Sequence, residues 1–408
     1  MAQAYTHRTA QGVWLNDMRN RSLPRHQWPS VVLDDRAEAD LIGSMALQAR
    51  AGFDSLTVFG LLTASSWRTA VERTVTAERR RRVRRILQAA EAVGLRVYYG
   101  LGVYSWGFDR IIAEDPAVRG PNPHAMCATR EESQRWMRRI VDYLLAEFGF
   151  HGFHLEASDQ GRCTCAACAR ESNTAYYSRI NRETAAYIRR QAPGQVQMVN
   201  MCGYLPWGES APPSEWRHLY AMGEQLDFLV DAGHAGYFID PAARRRFIAG
   251  LPCAFGTAAG VWVYPPQRWD RLRWFIPYTS RTGDHLASLY AEGGRAVEYY
   301  MGPSRNPGVE VNIAFGGRKL SDVGRDNAEI LAEVLDELWG PTTAAAAREL
   351  AFVFREGEEA FFASFDPLLP KWGKPRGEIH LTPLIGLHPG PASYLRDTMA
   401  PRGRARYG

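Results

Sequence analysis

The segment from Gly152 to Asp159, GFHLEASD, crowds one imidazole and two carboxyl groups into six residues: His154, Glu156 and Asp159. Such groups can divide the work of general acid–base catalysis. One carboxyl gives a proton to a leaving oxygen, and a second activates water or attacks carbon itself. Just downstream, Cys163, Cys165 and Cys168 offer three thiolates within six residues, one short of a closed tetrahedral metal site. Cys127 is the leading candidate for the fourth ligand and His124 the second, because the loop carrying both can meet the loop carrying the other three. A structural Zn2+ that staples the two loops is the expectation, with no organic cofactor. A four-iron cluster also takes four cysteines, but CxCxxC is not a ferredoxin spacing. Reduced thiols or a loop disulfide are the plainer alternatives. Cys202 and Cys253 lie in apolar strand-like surroundings and read as small buried hydrophobes.

These groups need a scaffold to converge. Short β-branched and aromatic runs alternate with helical patterns, the mark of repeated βα units and a parallel sheet. Eight strand candidates run from Gly12 to Asn16, Ser55 to Gly60, Leu95 to Leu101, Gly152 to Ala157, Gln195 to Cys202, Leu226 to Asp231, Ala259 to Tyr264 and Arg295 to Met301. A helix is predicted from Arg130 to Phe148, with Trp136, Ile140, Leu144 and Phe148 on one face and Thr129 with Glu132 as a capping box. Another covers Ala175 to Gln191. Eight units fit a closed α/β barrel, the (β/α)8 TIM fold, better than an open doubly wound sheet, and no GxGxxG follows the first strand. The barrel is expected over residues 1–340. Helices from Ser321 to Trp339 and Thr343 to Phe362 follow the last strand, and residues 341–408 form a C-terminal helix and irregular tail.

In such a barrel the reactive residues stand at the C-terminal strand ends. Period-two alternation aims His154 and Glu156 inward and Phe153 and Leu155 outward. It groups Asp231 with Leu229, and Glu298 with Ala296 and Tyr300. Asp159, Glu156, Asp231 and Glu298 are therefore the candidate catalytic carboxyls. Asn16, Tyr104, Trp106, His154, Asn200, Trp207, His234, Trp262 and Tyr264 surround them as candidate substrate-binding residues, the aromatic rings as platforms for sugar faces. Acidic groups beside aromatic platforms suit hydrolysis of a glycosidic bond. The competing structural reading pairs an inward Glu with Arg96 or Arg295, keeps His154 as a hydrogen-bonding core group and leaves the aromatics in the core.

Composition supports an ordinary globular protein: 408 residues, 46% hydrophobic and 23% charged. Of 49 Lys and Arg only Lys319, Lys371 and Lys374 are Lys, leaving 46 Arg, so the net charge of +5 reflects Arg usage rather than a nucleic-acid surface. The run from Arg79 to Arg85 precedes Ile86, Leu87, Ala90 and Val93 at helical spacing and reads as a solvated helix face. No apolar leader or membrane-length apolar stretch occurs, and a cytoplasmic protein with no membrane partner is expected. The helices over 321–362 are a candidate contact between copies of the chain, making a homo-oligomer.

The stretch HLEASDQGRCTCAACAR resembles a motif of (β/α)8 glycoside hydrolase-like proteins related to the α-glucuronidase-like and β-N-acetylhexosaminidase barrels, in which an acidic residue after strand four precedes a CxCxxC cluster. VYYGLGVYSWG, HAMCATREESQRW and VNIAFGGRKLSDVGRDNAEILAEVLDELWGP are similar to the same group, over about residues 50–340 in all. The resemblance implies a carbohydrate substrate. In the hexosaminidases an Asp-Glu pair follows the strand-four His by four and five residues, places held here by Ser158 and Asp159. It therefore implies Asp159 as general acid, while Ser158 departs from the residue that orients a substrate N-acetyl group. Two other functions stay open on the same residues: a carbohydrate-binding protein on a degenerate barrel, and a metal-dependent redox or lyase enzyme centred on the cysteines.

Overall fold

The computed structural model describes residues 2–14, 33–62, 66–157, 161–201, 204, 212–231, 241–260, 279–300 and 307–365. Eight parallel strands close into a barrel in chain order: β1 (His7–Trp14), β2 (Ser55–Phe59), β3 (Arg96–Gly102), β4 (Gly152–Glu156), β5 (Val196–Asn200), β6 (Phe228–Asp231), β7 (Ala254–Gly260) and β8 (Ala296–Tyr300). The helices around it are α1 (Asp35–Ala51), α2 (Ala77–Ala92), α3 (Asp109–Glu114), α4 (Glu131–Glu147), α5 (Asn173–Gln191), α6 (Trp216–Gly223), α7 (Pro241–Gly250) and α8 (Ser280–Ala291). After β8 come α9 (Pro307–Ser321), α10 (Asn327–Trp339) and α11 (Ala344–Phe365). This is the (β/α)8 fold with a helical C-terminal extension. The strands are buried on both faces, as in β2 and β4, because the lumen is filled with side chains and the outer face is covered by helices.

Register determines which residues share the lumen. His154 pairs with Gly100 on one side and Met198 on the other, Asn200 with Val230, Ala258 with Glu298, and Glu298 with Thr9. Residues paired across a parallel ladder point to the same face, so one inward set runs round the whole ring. Contacts within the lumen agree: on adjacent strands Thr9 Oγ1 lies 2.8 Å from Ser55 Oγ, and across the lumen Thr57 Oγ1 lies 3.8 Å from Met198 Sδ and the His7 ring stacks on Phe228 at 4.5 Å.

Several boundaries differ from the sequence reading. Strand β7 spans Ala254–Gly260, earlier than the predicted Ala259 to Tyr264, because its inward residues Gly256 and Ala258 are small and lack a strand-like composition. Strand β1 likewise starts at His7. The predicted capping box at Thr129 does not form: Arg130 is the N-cap of α4 with no side-chain bond, and Thr129 Oγ1 instead lies 3.1 Å from Cys127 Sγ. The predicted Ser321 to Trp339 helix starts later, at Asn327, and a separate helix precedes it. Helix α9 ends at Ser321, and α10 starts where the Asp326 carboxylate accepts the Ala328 and Glu329 N–H groups.

The arginine run of α2 is a solvated face, with Arg81, Arg84 and Arg85 exposed, that also serves as a clamp. Arg82 reaches Asp35, Glu38 and Glu78, Arg85 reaches Glu38, and Arg79 donates to the carbonyls of Gly60 at 2.7 Å and Leu61 at 2.9 Å, just past β2. Helix α11 docks through the buried Phe354 ring against Trp339, an Arg281–Glu359 ion pair and a buried carboxylate. Buried Glu358 accepts the N–H groups of Thr279, Ser280 and Arg281 and the Thr279 hydroxyl, capping α8 from outside.

Candidate active site and metal centre

Inward alternation on β4, β5 and β8 brings four polar side chains together in the lumen. Glu298 is fully buried: its Oε2 accepts Asn200 Nδ2 at 2.6 Å, and its Oε1 lies 3.2 Å from His154 Nδ1. On the far side of the ring, His154 Nε2 lies 3.4 Å from Glu156 Oε2. Both ring contacts are at hydrogen-bonding range but off the hydrogen-bond line, so they act electrostatically. Burial pushes the His154 imidazole down to about 3. Arg96 and Arg295 are engaged elsewhere: Arg96 pairs with Asp54 at 3.1 Å, and Arg295 lies over the Tyr290 ring at 3.9 Å and donates to backbone carbonyls.

Above His154 lies an aromatic layer. The Phe59 ring meets the imidazole edge-on at 4.8 Å, and Trp106 meets Phe59 edge-on at 5.7 Å. Gly100 leaves room for Phe59, whose ring occupies the space a Cβ would take there. Trp106 and Tyr104 both adopt left-handed backbone conformations, φ 63° and 61°, uncommon for bulky residues. The loop is held by Met126 N–H on the Tyr104 carbonyl at 2.8 Å and by Trp67 N–H on the Gly107 carbonyl at 2.7 Å. A Cβ at Gly102 would overlap the carbonyl oxygens of Ser105 and Trp106, so the turn folds back on the end of β3 only because that position lacks a side chain.

Two candidates point elsewhere. Tyr104 lines a cleft with Gln134, Arg138 and Tyr187 between α4 and α5, outside the barrel. In β6 the inward phase belongs to Phe228 and Val230. Asp231 pairs with Thr257 on the outward phase, one residue out of step with the sequence grouping. A four-residue run, FLVD, buried on both faces carries no polar alternation from which to set its phase. Asn16, Asp159, Trp207, His234, Trp262, Tyr264 and Cys202 lie outside the described residues. Sequence reasoning missed Phe59, whose cue was its position at the end of a strand, and the meeting of His154 with Glu298, for which no local signal exists.

The four predicted thiol ligands do converge: the Sγ atoms of Cys127, Cys163, Cys165 and Cys168 all lie within 4.8 Å of one another. Cys127 Sγ is 3.7 Å from Cys165 Sγ and 3.9 Å from Cys168 Sγ. An ion with metal–sulfur bonds of about 2.3 Å in a tetrahedron sets its sulfurs about 3.8 Å apart, so the donor set fits one metal ion. His124 is instead 3.2 Å from Asp109. Burial pushes the Cys168 thiol up to about 11 and Cys163 up as well. A backbone N–H from Cys168 draws Cys165 down to about 6.

Gly120 packs against Cys163, and Asn122 Nδ2 donates to the Arg162 carbonyl at 3.3 Å, so the loop before α4 and the loop after β4 lie side by side. The loop between β3 and α3 meets the end of β4, where Val103 N–H donates to the Glu156 carbonyl at 2.7 Å and Ser105 Oγ to the Ala157 carbonyl at 2.9 Å. Cys253 is half-buried, and burial raises its thiol.

No protein-family model and no curated protein sequence matches the chain. Solved structures do, and they include glycoside hydrolase-type barrels. The structure of CpGH84B superposes with a TM-score of 0.53 at 9% identity, covering 90% of this chain and 58% of that one. A Thermobaculum terrenum O-GlcNAc hydrolase gives 0.52 at 8% identity, over 83% of this chain and 64% of that one. A β-N-acetylhexosaminidase gives 0.50 at 11% identity, over 82% and 76%. The chain thus spans less than two thirds of the length of the first two, and at these identities the likeness is one of fold. Among the described residues, no helix is long and apolar enough to cross a membrane.

Proposed function

We propose that the chain is a glycoside hydrolase acting on a glycoside or oligosaccharide, with Glu156 and Asp159 as the carboxyl pair at the end of β4 and Glu298 as the opposing base or nucleophile. The observation that carries this reading is the buried cluster of Glu156, His154, Asn200 and Glu298 at the C-terminal half of the lumen, where this fold keeps its chemistry. Trp106 and Phe59 add an aromatic wall. Two of the similar structures are named as an O-GlcNAc hydrolase and a β-N-acetylhexosaminidase, so hexosaminides are the first substrates to try. The barrel over 1–340 is the catalytic unit in this reading.

The ion suited to the four cysteines is Zn2+, in a structural role. It would hold the loop before α4 against the loop that follows Glu156, and it supplies no step of the reaction. The sulfur spacing supports a single tetrahedral ion over a multi-iron cluster, whose own sulfides would spread the four thiolates apart.

A screen of chromogenic glycosides, including hexosaminides and uronides, tests the function. Chromophore release by the wild type, lost in Glu156→Gln and Asp159→Asn with the circular dichroism unchanged, is the expected result. Full activity in both variants would sink the assignment. Sugar binding by calorimetry with no product released would select the carbohydrate-binding alternative.

A further inference from the structure

We propose that the cleft between α4 and α5, outside the barrel, is a second binding site, for an acidic oligosaccharide whose oxyanion groups are held by Arg138, Arg182 and Arg190. That the ligand is a saccharide rests on the hydrolase reading, whereas its extended anionic character rests on the cleft alone.

The cleft encloses about 510 Å3, room for a small organic ligand rather than a lone ion. Its base is buried, formed by Met137, Val141 and Tyr104. Its sides carry three guanidinium groups, Arg138 from α4 and Arg182 and Arg190 from α5. Arginine is so common in this chain that their number alone means little. Pairing separates these three from their neighbours. On the same two helices Arg135 pairs with Glu132, Arg139 with Glu72, Arg179 with Glu171 and Arg189 with Asp227. Arg138, Arg182 and Arg190 have no ion-pair partner among the described residues. Of the two carboxylates that line the cleft, Glu183 lies 3.5 Å from Arg179, which leaves Glu224 against three cations.

Two of those cations are gathered at one ring. Arg138 and Arg190 lie over Tyr187 at 5.8 and 5.7 Å from its centroid. The ring attracts each guanidinium, but like charges brought together repel, and an anion between them relieves that repulsion. The Tyr187 hydroxyl is already engaged, donating to the Asp142 carboxylate at 2.7 and 2.9 Å.

Spacing favours an extended ligand over a single phosphate. Arg182 and Arg190 are rooted eight residues apart on α5, about 12 Å along the helix axis. Between the charges the lining is polar, with Gln134, Thr184, Gln225 and Tyr104. Tyr104 is 4% exposed, and its hydroxyl makes no hydrogen bond among the described residues. A hydroxyl so placed costs stability that a ligand's own hydroxyl can restore. Oxyanions spaced along a chain of hydroxyls describe acidic sugar units, and the planar guanidinium fork matches their carboxylates or sulfates.

Calorimetry on the full-length chain tests this, with a uronic-acid trisaccharide, a sulfated trisaccharide, a neutral trisaccharide and inorganic phosphate as probes. The two acidic trisaccharides should bind, the tighter of them identifying the oxyanion, and the neutral one and phosphate should not. Arg182→Gln and Arg190→Gln should each weaken binding by about tenfold. Tyr104→Phe should weaken it by about threefold at an unchanged melting temperature, since its hydroxyl has no protein partner to lose. No binding of either acidic trisaccharide by the wild type would overturn the inference, as would affinity unchanged in both arginine variants or phosphate binding as tightly as the trisaccharides. Hydrolysis of small chromogenic glycosides should be the same in the arginine variants as in the wild type. Trisaccharide binding by a chain that cleaves no glycoside would therefore keep this inference and defeat the hydrolase reading, and cleavage without such binding would do the reverse.

Discussion

Glu298 and His154 stand on β8 and β4, strands half-way round the barrel from each other, yet their side chains meet at 3.2 Å in the lumen. Small neighbours make this possible: Gly100 beside His154, and Ala258 and Ala296 on the strands that flank or carry Glu298. An inward carboxylate that crosses the barrel in this way needs a donor on the far wall, and Asn200 supplies one.

Removing the Asn200 donor should therefore be costly. Asn200→Ala leaves a buried carboxylate without its 2.6 Å amide partner and opens a small void, with an expected loss of about 2–3 kcal/mol of unfolding free energy. Urea denaturation measures it. A loss under about 0.5 kcal/mol would mean that the Asn200 amide contributes little to holding the Glu298 carboxyl in the lumen.

Purified protein should contain one zinc per chain, and a strong chelator should remove it. Cys163→Ser should lower both the metal content and the melting temperature, whereas Cys253→Ser, outside the cluster, should change the metal content not at all. Plasma emission spectrometry with thermal denaturation reads both. Iron with visible absorbance would replace the zinc assignment with the redox alternative.

Gly102→Ala places a Cβ against the Ser105 and Trp106 carbonyls, neither of which can move without disturbing the left-handed residues of the same loop. A loss of about 1–3 kcal/mol is expected, the usual range for overpacking. Trp106 should report it as a change in fluorescence, because the strain falls on the loop that carries the indole.

Stability should fall on the acid side through Glu38. Its hydrogen bond from Arg85, followed by that from Arg82, holds its carboxyl below the usual carboxylate range. A depressed folded value means that the stabilisation is present above the unfolded value and is lost as pH falls through the depressed one. The stability difference between wild type and Glu38→Gln should accordingly be largest near neutrality and vanish in strong acid. A difference independent of pH would show that the clamp between α1 and α2 owes nothing to charge.

Much of the scaffold is legible locally. The inward phase of HLE on β4 and AVEYY on β8 shows in alternation, since apolar residues on one phase and polar ones on the other must face different surroundings. The phase of FLVD does not show, because both faces of that strand are buried, and AFGTAAG hides a strand behind small residues that matter only for the room they leave. The cysteine set sits between these cases: the spacing of Cys163, Cys165 and Cys168 predicts three ligands, while Cys127 as the fourth depends on two loops lying together.

The sequence by itself determined the barrel, the inward side chains of β4 and β8, and three of the sulfur donors, because periodicity and short spacing are properties of neighbouring residues. Tertiary structure alone decided that Tyr104 turns outward, that Asp231 lies on the other phase from Glu156, and that His154 stands between Glu156 and Glu298. Closure of the barrel sets those relationships: it carries β8 round to face β4 across a lumen one side chain deep, and sequence distance holds no record of that crossing.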